Sequence, residues 1–465
     1  MSPSFRFKSG WPLGLVGLLL AVLLVAGAWL LVVRLEGEGP VVGVDASSPL
    51  YLGKASEVAV TVADPKSGLR RLEVVLTKDG KRVVLVDAPY PVSGLLGLEK
   101  VREDRRQVRI DPAAHGFTDG KAVMAVRAWD HSWRNWWGGN VTQLETEVVV
   151  DTRPPTIESL TQQNYVNQGG AGVAVYRLSE PCPVSGVRVG GTFFPGAGGY
   201  YPDPLVHIAF FAFGHQQGAG TEIAIEAADR AGNSGRSRYA YHFKPKKFKR
   251  DTLNVSDGFI TQILPEFQAV LPAQANATLK ERFLYINREL RAANYRTITE
   301  ATRQSEAAML WKGPFTRLPN AAPRAGFADH RTYLYEGREI DQQHHLGVDL
   351  ASLAHSPVPA ANAGVVVFTG EIGIYGQTVI LDHGFGLFTM YSHLSRITAR
   401  KGSRVAKDAV IGNTGSTGLA GGDHLHFSVL VRNTFVDPIE WWDPHWIKDN
   451  VMLKLDAVKG GGGQG

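Results

Sequence analysis

The 465-residue sequence predicts a mainly β chain behind one membrane-length helix, with a helical connector between two stretches of strands. Three observations predict it. A 23-residue run without a charge spans Trp11–Val33. Short alternating apolar runs broken by Gly, Pro and Asp-Gly fill Val41 to His242. After an apolar stripe at helical spacing, the strand-and-glycine pattern returns from Trp311 to Trp446. The composition, 44% hydrophobic and 20% charged, is that of a globular protein, and at about 150 residues per domain it fills roughly three domains. A net charge of +5 on 49 basic and 44 acidic residues is mild and excludes a dedicated nucleic-acid binder, which concentrates a basic face. The single cysteine, Cys182, excludes an intramolecular disulfide and a Cys-based zinc finger, so a metal site must use histidines with carboxylates.

The run WPLGLVGLLLAVLLVAGAWLLVV is longer than a core helix and lacks a polar face, so residues 11–33 read as a transmembrane anchor. Ala26-Gly27-Ala28 resembles a signal-peptidase site, but the apolar run continues five residues beyond it, which favours an uncleaved anchor. Arg6 and Lys8 precede the span, whereas Glu36 and Glu38 follow Arg34. The positive-inside rule then puts residues 1–10 in the cytoplasm and everything after Arg34 outside. The body of the chain is then expected to be extracytoplasmic, on a single-pass anchor.

LEVVLTKDGKRVVLV, Leu72–Val86, reads as two strands turning at Asp79-Gly80. Ala128-Trp129-Asp130 with Asn135 is echoed about 100 residues later by Ala227-Ala228-Asp229 with Asn233, each following an apolar strand and opening a polar turn. Pro154-Pro155 cannot continue a strand ladder and separates the copies. Residues 41–152 and 153–243 therefore read as two β-sandwiches. They resemble bacterial immunoglobulin-like domains, which bind, space or regulate; a regulatory protein partner is expected to meet them.

KPKKFKR, Lys244–Arg250, is a solvated basic junction or a contact for an anionic polymer. Leu279, Phe283, Ile286 and Leu290 recur at three- and four-residue steps, so residues 244–311 read as a junction and helical connector whose stripe packs on a neighbour. Residues 448–465 read as a tail, too glycine-rich for order from Gly460 onward.

The chemistry lies between residues 345 and 426. Three residues separate His345 from Asp349 in HHLGVDLA, and one separates His424 from His426 in GGDHLHFSVLV. Fourteen histidines give about 0.4 pairs at any one spacing by chance, so the setting matters more than the count. Residues 424–430 alternate like a strand, which turns both imidazoles to one face and Leu425 and Phe427 to the other. Gly347 makes a helix poor between His345 and Asp349, so a loop or strand entry is expected there. Two imidazole nitrogens and a carboxylate oxygen make a three-ligand catalytic zinc set with a fourth position for water, whose pKa zinc lowers to about 7.

HxxxD, then YSHLS at Tyr391–Ser395, then HLHF strongly resembles the lysostaphin/LytM-type zinc endopeptidases of the M23 peptidase family. The resemblance runs through GQTVILDHGFGLFTMYSHLS and VIGNTGSTGLAGGDHLHF to FVDPIEWW, about residues 312–447. It implies an antiparallel-sheet peptidase domain in which His345, Asp349 and His426 hold Zn2+ and His393 and His424 are the catalytic pair. One of that pair takes a proton and the other stabilises the oxyanion or protonates the leaving amine. Ser428 stands where many relatives carry glutamate, and Asp423 where proline is common, which bears on substrate preference. His383 and Tyr391 read as structural, and Gly412, Gly415, Gly418, Gly421 and Gly422 as a mobile rim loop.

Together these imply a zinc metalloendopeptidase anchored once in a bacterial inner membrane, its catalytic domain in the periplasm, that hydrolyses peptide cross-links of peptidoglycan. In the family these are D-Ala to meso-diaminopimelate links or glycine bridges. The alternative is a non-catalytic regulator that activates a cell-wall amidase. Because a wall-facing endopeptidase is hazardous, the residues before 312 are expected to restrain the cleft.

Overall fold

A computed structural model describes residues 11–45, 47–92, 99–271 and 277–460. The chain is mainly β and folds as two units, residues 1–154 with 230–233, and residues 155–229 with 234–465. The basic N-terminal residues Arg6 and Lys8 and the glycines after 460 lie outside the described residues.

In the first unit, Trp11–Arg34 is a 24-residue helix, and its Gly14–Arg34 portion is long and apolar enough to cross a membrane. Beyond it, Val41–Val44, Ser56–Ala63 and Glu103–Ile110 form a three-stranded antiparallel sheet. A five-stranded sheet runs in the order Leu50–Leu52, Val141–Val150, Gly120–Asp130, Leu69–Lys78, Lys81–Pro89. Both sheets supply one core: Val58, Val60 and Val62 from the first meet Leu72, Val74, Met124 and Val126 from the second. Asp79 and Gly80, at φ 51° and 78°, make the two-residue hairpin turn whose left-handed pair matches strand twist. Asp130 pins the turn after its strand, its Oδ1 accepting from Ser132 N at 3.0 Å and Asn140 N at 2.7 Å.

The second unit begins with three more sheets between Ile157 and Lys244, among them the antiparallel set Thr192–Pro195, Val184–Val189, Ile223–Ala228, Ser234–Arg238. The connector that follows is not wholly helical. Arg250–Asn254 extends as a strand and pairs in parallel with His330–Tyr335, which turns back antiparallel into Arg338–His344. Helices Asp257–Ile263 and Leu279–Tyr285 follow, and a π-turn at Ile286–Leu290 leads into Arg291–Ala301. Phe283, Ile286 and Leu290 are buried in the unit's core, and Thr278 with Glu281 forms a capping box at the helix start.

The main sheet has ten strands, with Ala322–Ala325, Val348–Ala351, Leu425–Val431, Leu387–Ile397, Gln377–Asp382, Gly364–Glu371 and Arg404–Val405 in spatial order. Leu425–Val431 is buried along its whole length. The segment after 447 is helical to Gly460 and not a loose tail, because Val451 and Leu455 are buried and Tyr201 Oη donates to Leu455 O at 2.8 Å.

Candidate functional site

Register assembles the site. Asp349 and Ser392 face His426 from the strands on either side, so Asp349 and His426 share a sheet face. His424 precedes His426 by two residues and Ser428 follows by two, on that same face. His345 lies in the loop entering Val348–Ala351, fixed by its N–H donating to Asp329 O at 3.0 Å and its carbonyl accepting from Ala328 N at 2.7 Å. Gly347 lets this loop close on the strand: a Cβ there would stand 2.6 Å from His426 Nε2.

Three atoms meet at 2.9 Å from one another, His345 Nε2, His426 Nδ1 and Asp349 Oδ1. The remaining contacts fix which of them carries hydrogen. His345 Nδ1 lies 2.8 Å from the Gly326 carbonyl, which can only accept, so Nδ1 holds the proton and Nε2 of the neutral ring offers a lone pair. Ser428 Oγ donates to Leu346 O at 2.8 Å and so accepts from His426 Nε2 at 3.0 Å, which leaves His426 Nδ1 a lone pair. Three lone pairs thus point at one another with no proton between neutral rings. That donor set, two imidazole nitrogens and one carboxylate oxygen, fits a zinc-sized cation.

Electrostatics agree with this geometry. Burial pushes the His426 pKa down to about 4. Burial works to raise the Asp349 carboxyl, but its close contacts with His345, His424 and His426 hold it well below the usual range. The other oxygen, Asp349 Oδ2, is held by Arg331 Nη2 at 3.3 Å. Arg331 lies on the His330–Tyr335 strand, where no spacing signal ties it to Asp349, and sequence reasoning missed it.

His393 and His424 stand beside this triangle, their ring centroids 4.7 Å apart. His393 sits at a bulge with φ 61°, a left-handed conformation uncommon outside glycine that histidine, unbranched at Cβ, tolerates better than most. Its Nδ1 bonds Thr417 O at 2.8 Å, and that loop approaches through Gly418, where a Cβ would come within 2.5 Å of Gly376 N. Burial, then the neighbouring His424 and His426, push the His393 pKa down to about 3. His424 Nδ1 bonds Gly422 O at 2.8 Å and its Nε2 lies 3.6 Å from Asp349 Oδ1. Burial works to lower the His424 pKa, but Asp349 outweighs it through hydrogen bond and charge and leaves it raised. In both rings Nδ1 is committed to a carbonyl, so Nε2 is the atom free to exchange a proton.

All five residues line one cavity of about 430 Å³. One wall comes from the connector, through Val255, Phe259, Phe283 and Arg291. Arg324 and Arg331 add positive charge, and among the described residues the Arg324 side chain has no hydrogen-bond or ion-pair partner.

Other residues fall outside the chemistry. Ser428 is buried against His426, so its departure from the family pattern touches the candidate metal site. His383 is buried between Ala363 O and Thr389 Oγ1, and Tyr391 Oη accepts from Ala361 N, both structural roles. The five glycines do not form one loop, since Gly412 lies within strand Val410–Thr414 and Gly415 bridges to His424.

A cleft of imidazoles over a buried carboxylate on an antiparallel sheet is a candidate metal centre. Residues 343–438 match the Peptidase family M23, and the chain carries an M23 peptidase domain there. The chain is 39% identical over 95 residues to the DD-carboxypeptidase/endopeptidase Mpg of Neisseria meningitidis serogroup B, covering 20% of this chain and 22% of that one. It is 38% identical over 96 residues to the peptidoglycan DD-endopeptidase ShyA of Vibrio cholerae, covering 21% and 22%. The chain thus spans about a fifth of the length of these relatives. Among solved structures, the lysostaphin catalytic domain of Staphylococcus simulans is 27% identical with a TM-score of 0.24, covering 28% of this chain and 98% of that one.

Proposed function

We propose that the protein is a membrane-anchored zinc endopeptidase that cuts peptide cross-links of peptidoglycan from the periplasmic side. The observation that carries this reading is the proton-free convergence of His345 Nε2, His426 Nδ1 and Asp349 Oδ1 beside two further imidazoles in a cleft. His345, Asp349 and His426 would hold zinc, which when bound would supply Lewis-acid polarisation of a carbonyl and activation of water. Arg331 and Ser428 hold the ligands in orientation. His393 and His424 offer their Nε2 atoms for the two proton movements of amide hydrolysis, from the attacking water and to the leaving amine. The named activities of Mpg and ShyA support this substrate class. An arginine-lined cleft favours a cross-link bearing free carboxylate, such as D-Ala to diaminopimelate, over an uncharged glycine bridge. The two upstream β-sandwiches serve as immunoglobulin-like spacers between the membrane and the wall.

The test is digestion of purified sacculi by the zinc-loaded protein, with released muropeptides read by mass spectrometry. The expected result is loss of cross-linked dimers, abolished with zinc binding in His345→Ala or His426→Ala. His393→Ala and His424→Ala should keep the metal and lose activity about 10²- to 10⁴-fold. Intact dimers with the unmutated, zinc-replete protein, together with stimulation of an amidase, would establish the regulator instead.

A further inference from the structure

At the exit of the apolar helix the first unit carries a loop that the peptidase cleft does not use. Trp133 N donates to Arg34 O at 2.6 Å, Ser132 Oγ to the same carbonyl at 3.2 Å, and Arg134 Nε to Leu35 O at 2.9 Å. These donors satisfy carbonyls that a helix C-terminus otherwise leaves open, so the helix end is tied to loop 131–137. From that tether the backbone passes through three consecutive left-handed residues, Asn135, Trp136 and Trp137, at φ 53°, 53° and 68°. Non-glycine residues avoid this region, and here Asn135 Nδ2 to Gly139 O (2.9 Å) and Arg70 Nη1 to Trp137 O (2.7 Å) hold it. The strained turn leaves Trp136 97% exposed and Trp137 64% exposed. Val32 and Leu35, on the helix side of the tether, are exposed as well.

Indole combines a large apolar face with one N–H donor, the combination that favours the boundary between acyl chains and headgroups. We propose that Trp136 and Trp137 form an interfacial anchor that seats the first β-sandwich on the headgroup region of the bilayer entered by the helix. The inference rests on the reading of Trp11–Arg34 as a membrane span, because the tether at Arg34 is what sets the depth of the loop. Arg134, exposed beside the tryptophans, suits lipid phosphates. The first sandwich is then held to the membrane at two places rather than swinging from a single helix.

The test uses the full chain in nanodiscs made with or without lipids brominated on the acyl chains, which quench nearby indoles. It compares wild type with Trp136→Phe/Trp137→Phe, a pair of exposed positions whose change spares the core. Trp11 and Trp29, within the helix, report insertion in both proteins. The expected result is that wild type loses more intensity on bromination than the variant, by up to the share of two indoles in ten. Quenching of equal absolute size in both proteins overturns the anchor while the span stands. No quenching in either shows that the helix is not inserted, and the span reading and the anchor fall together.

Discussion

Ser428 shows how much a residue outside the reacting groups can matter. Its hydroxyl spends its hydrogen on Leu346 O and thereby makes His426 Nε2 the protonated nitrogen, leaving Nδ1 for a cation. Ser428→Ala removes that constraint, and zinc affinity should fall about ten- to a hundredfold in a chelator competition. Affinity equal to wild type would mean that packing alone fixes the His426 tautomer. At this scale the sequence is informative where a motif is short and repeats a ligand spacing, as with His345, Asp349, His424 and His426. Arg331 was not legible, because it reaches Asp349 Oδ2 across a hairpin and no periodicity marks it. The Ser428 contact was equally hidden, since a serine on a buried strand reads only as a small polar filler.

The connector is the element whose sequence pattern and structure differ most. Its apolar stripe is visible in the sequence, and Phe283, Ile286 and Leu290 are core, but residues 252–254, expected as the start of helical sequence, belong to the strand Arg250–Asn254. That segment is a strand because His330–Tyr335 offers it a partner 80 residues away, a tertiary pairing no local pattern encodes. The pairing matters for function. The connector cannot be cut away at residue 312 without stripping this strand from the hairpin that carries Arg331. Its role as a cover is better probed in place, where Phe259 lines the cleft and Glu266 Oε2 accepts from Gly418 N at 3.3 Å. If the connector restrains access, Phe259→Ala and Glu266→Ala should raise the rate on intact sacculi several-fold at unchanged zinc content. A lower rate would show instead that this wall grips the substrate.

Across the whole second unit, one buried acid joins the ten-stranded sheet to the β-strands upstream. Glu440 lies on helix Pro438–Trp442 just after the strands of that sheet, and its two oxygens accept from Asn167 Nδ2 at 2.6 Å and Ala171 N at 2.8 Å. Gly170 permits the approach, since a Cβ there would stand 2.3 Å from Glu440 Oε1. Burial pushes the Glu440 pKa up to about 8, against the lowering effect of those two hydrogen bonds. The folded state therefore binds a proton that the unfolded chain releases at ordinary carboxylate pH. The resulting stabilisation is fully present below that ordinary range and is lost as pH rises through about 8. Its slope cannot exceed about 1.4 kcal/mol per pH unit for one proton. Thermal unfolding followed from pH 5 to pH 9 should show this decline in wild type. Glu440→Gln keeps an acceptor for Ala171 N, carries no titrating group, and should be flatter with pH and more stable than wild type at pH 9. Parallel curves for the two proteins would mean that Glu440 stays ionised in the fold, compensated by the Lys246–Asp437 pair beside it. The join between the ten-stranded sheet and the upstream strands would then be a charged one, weakened by salt rather than by alkali.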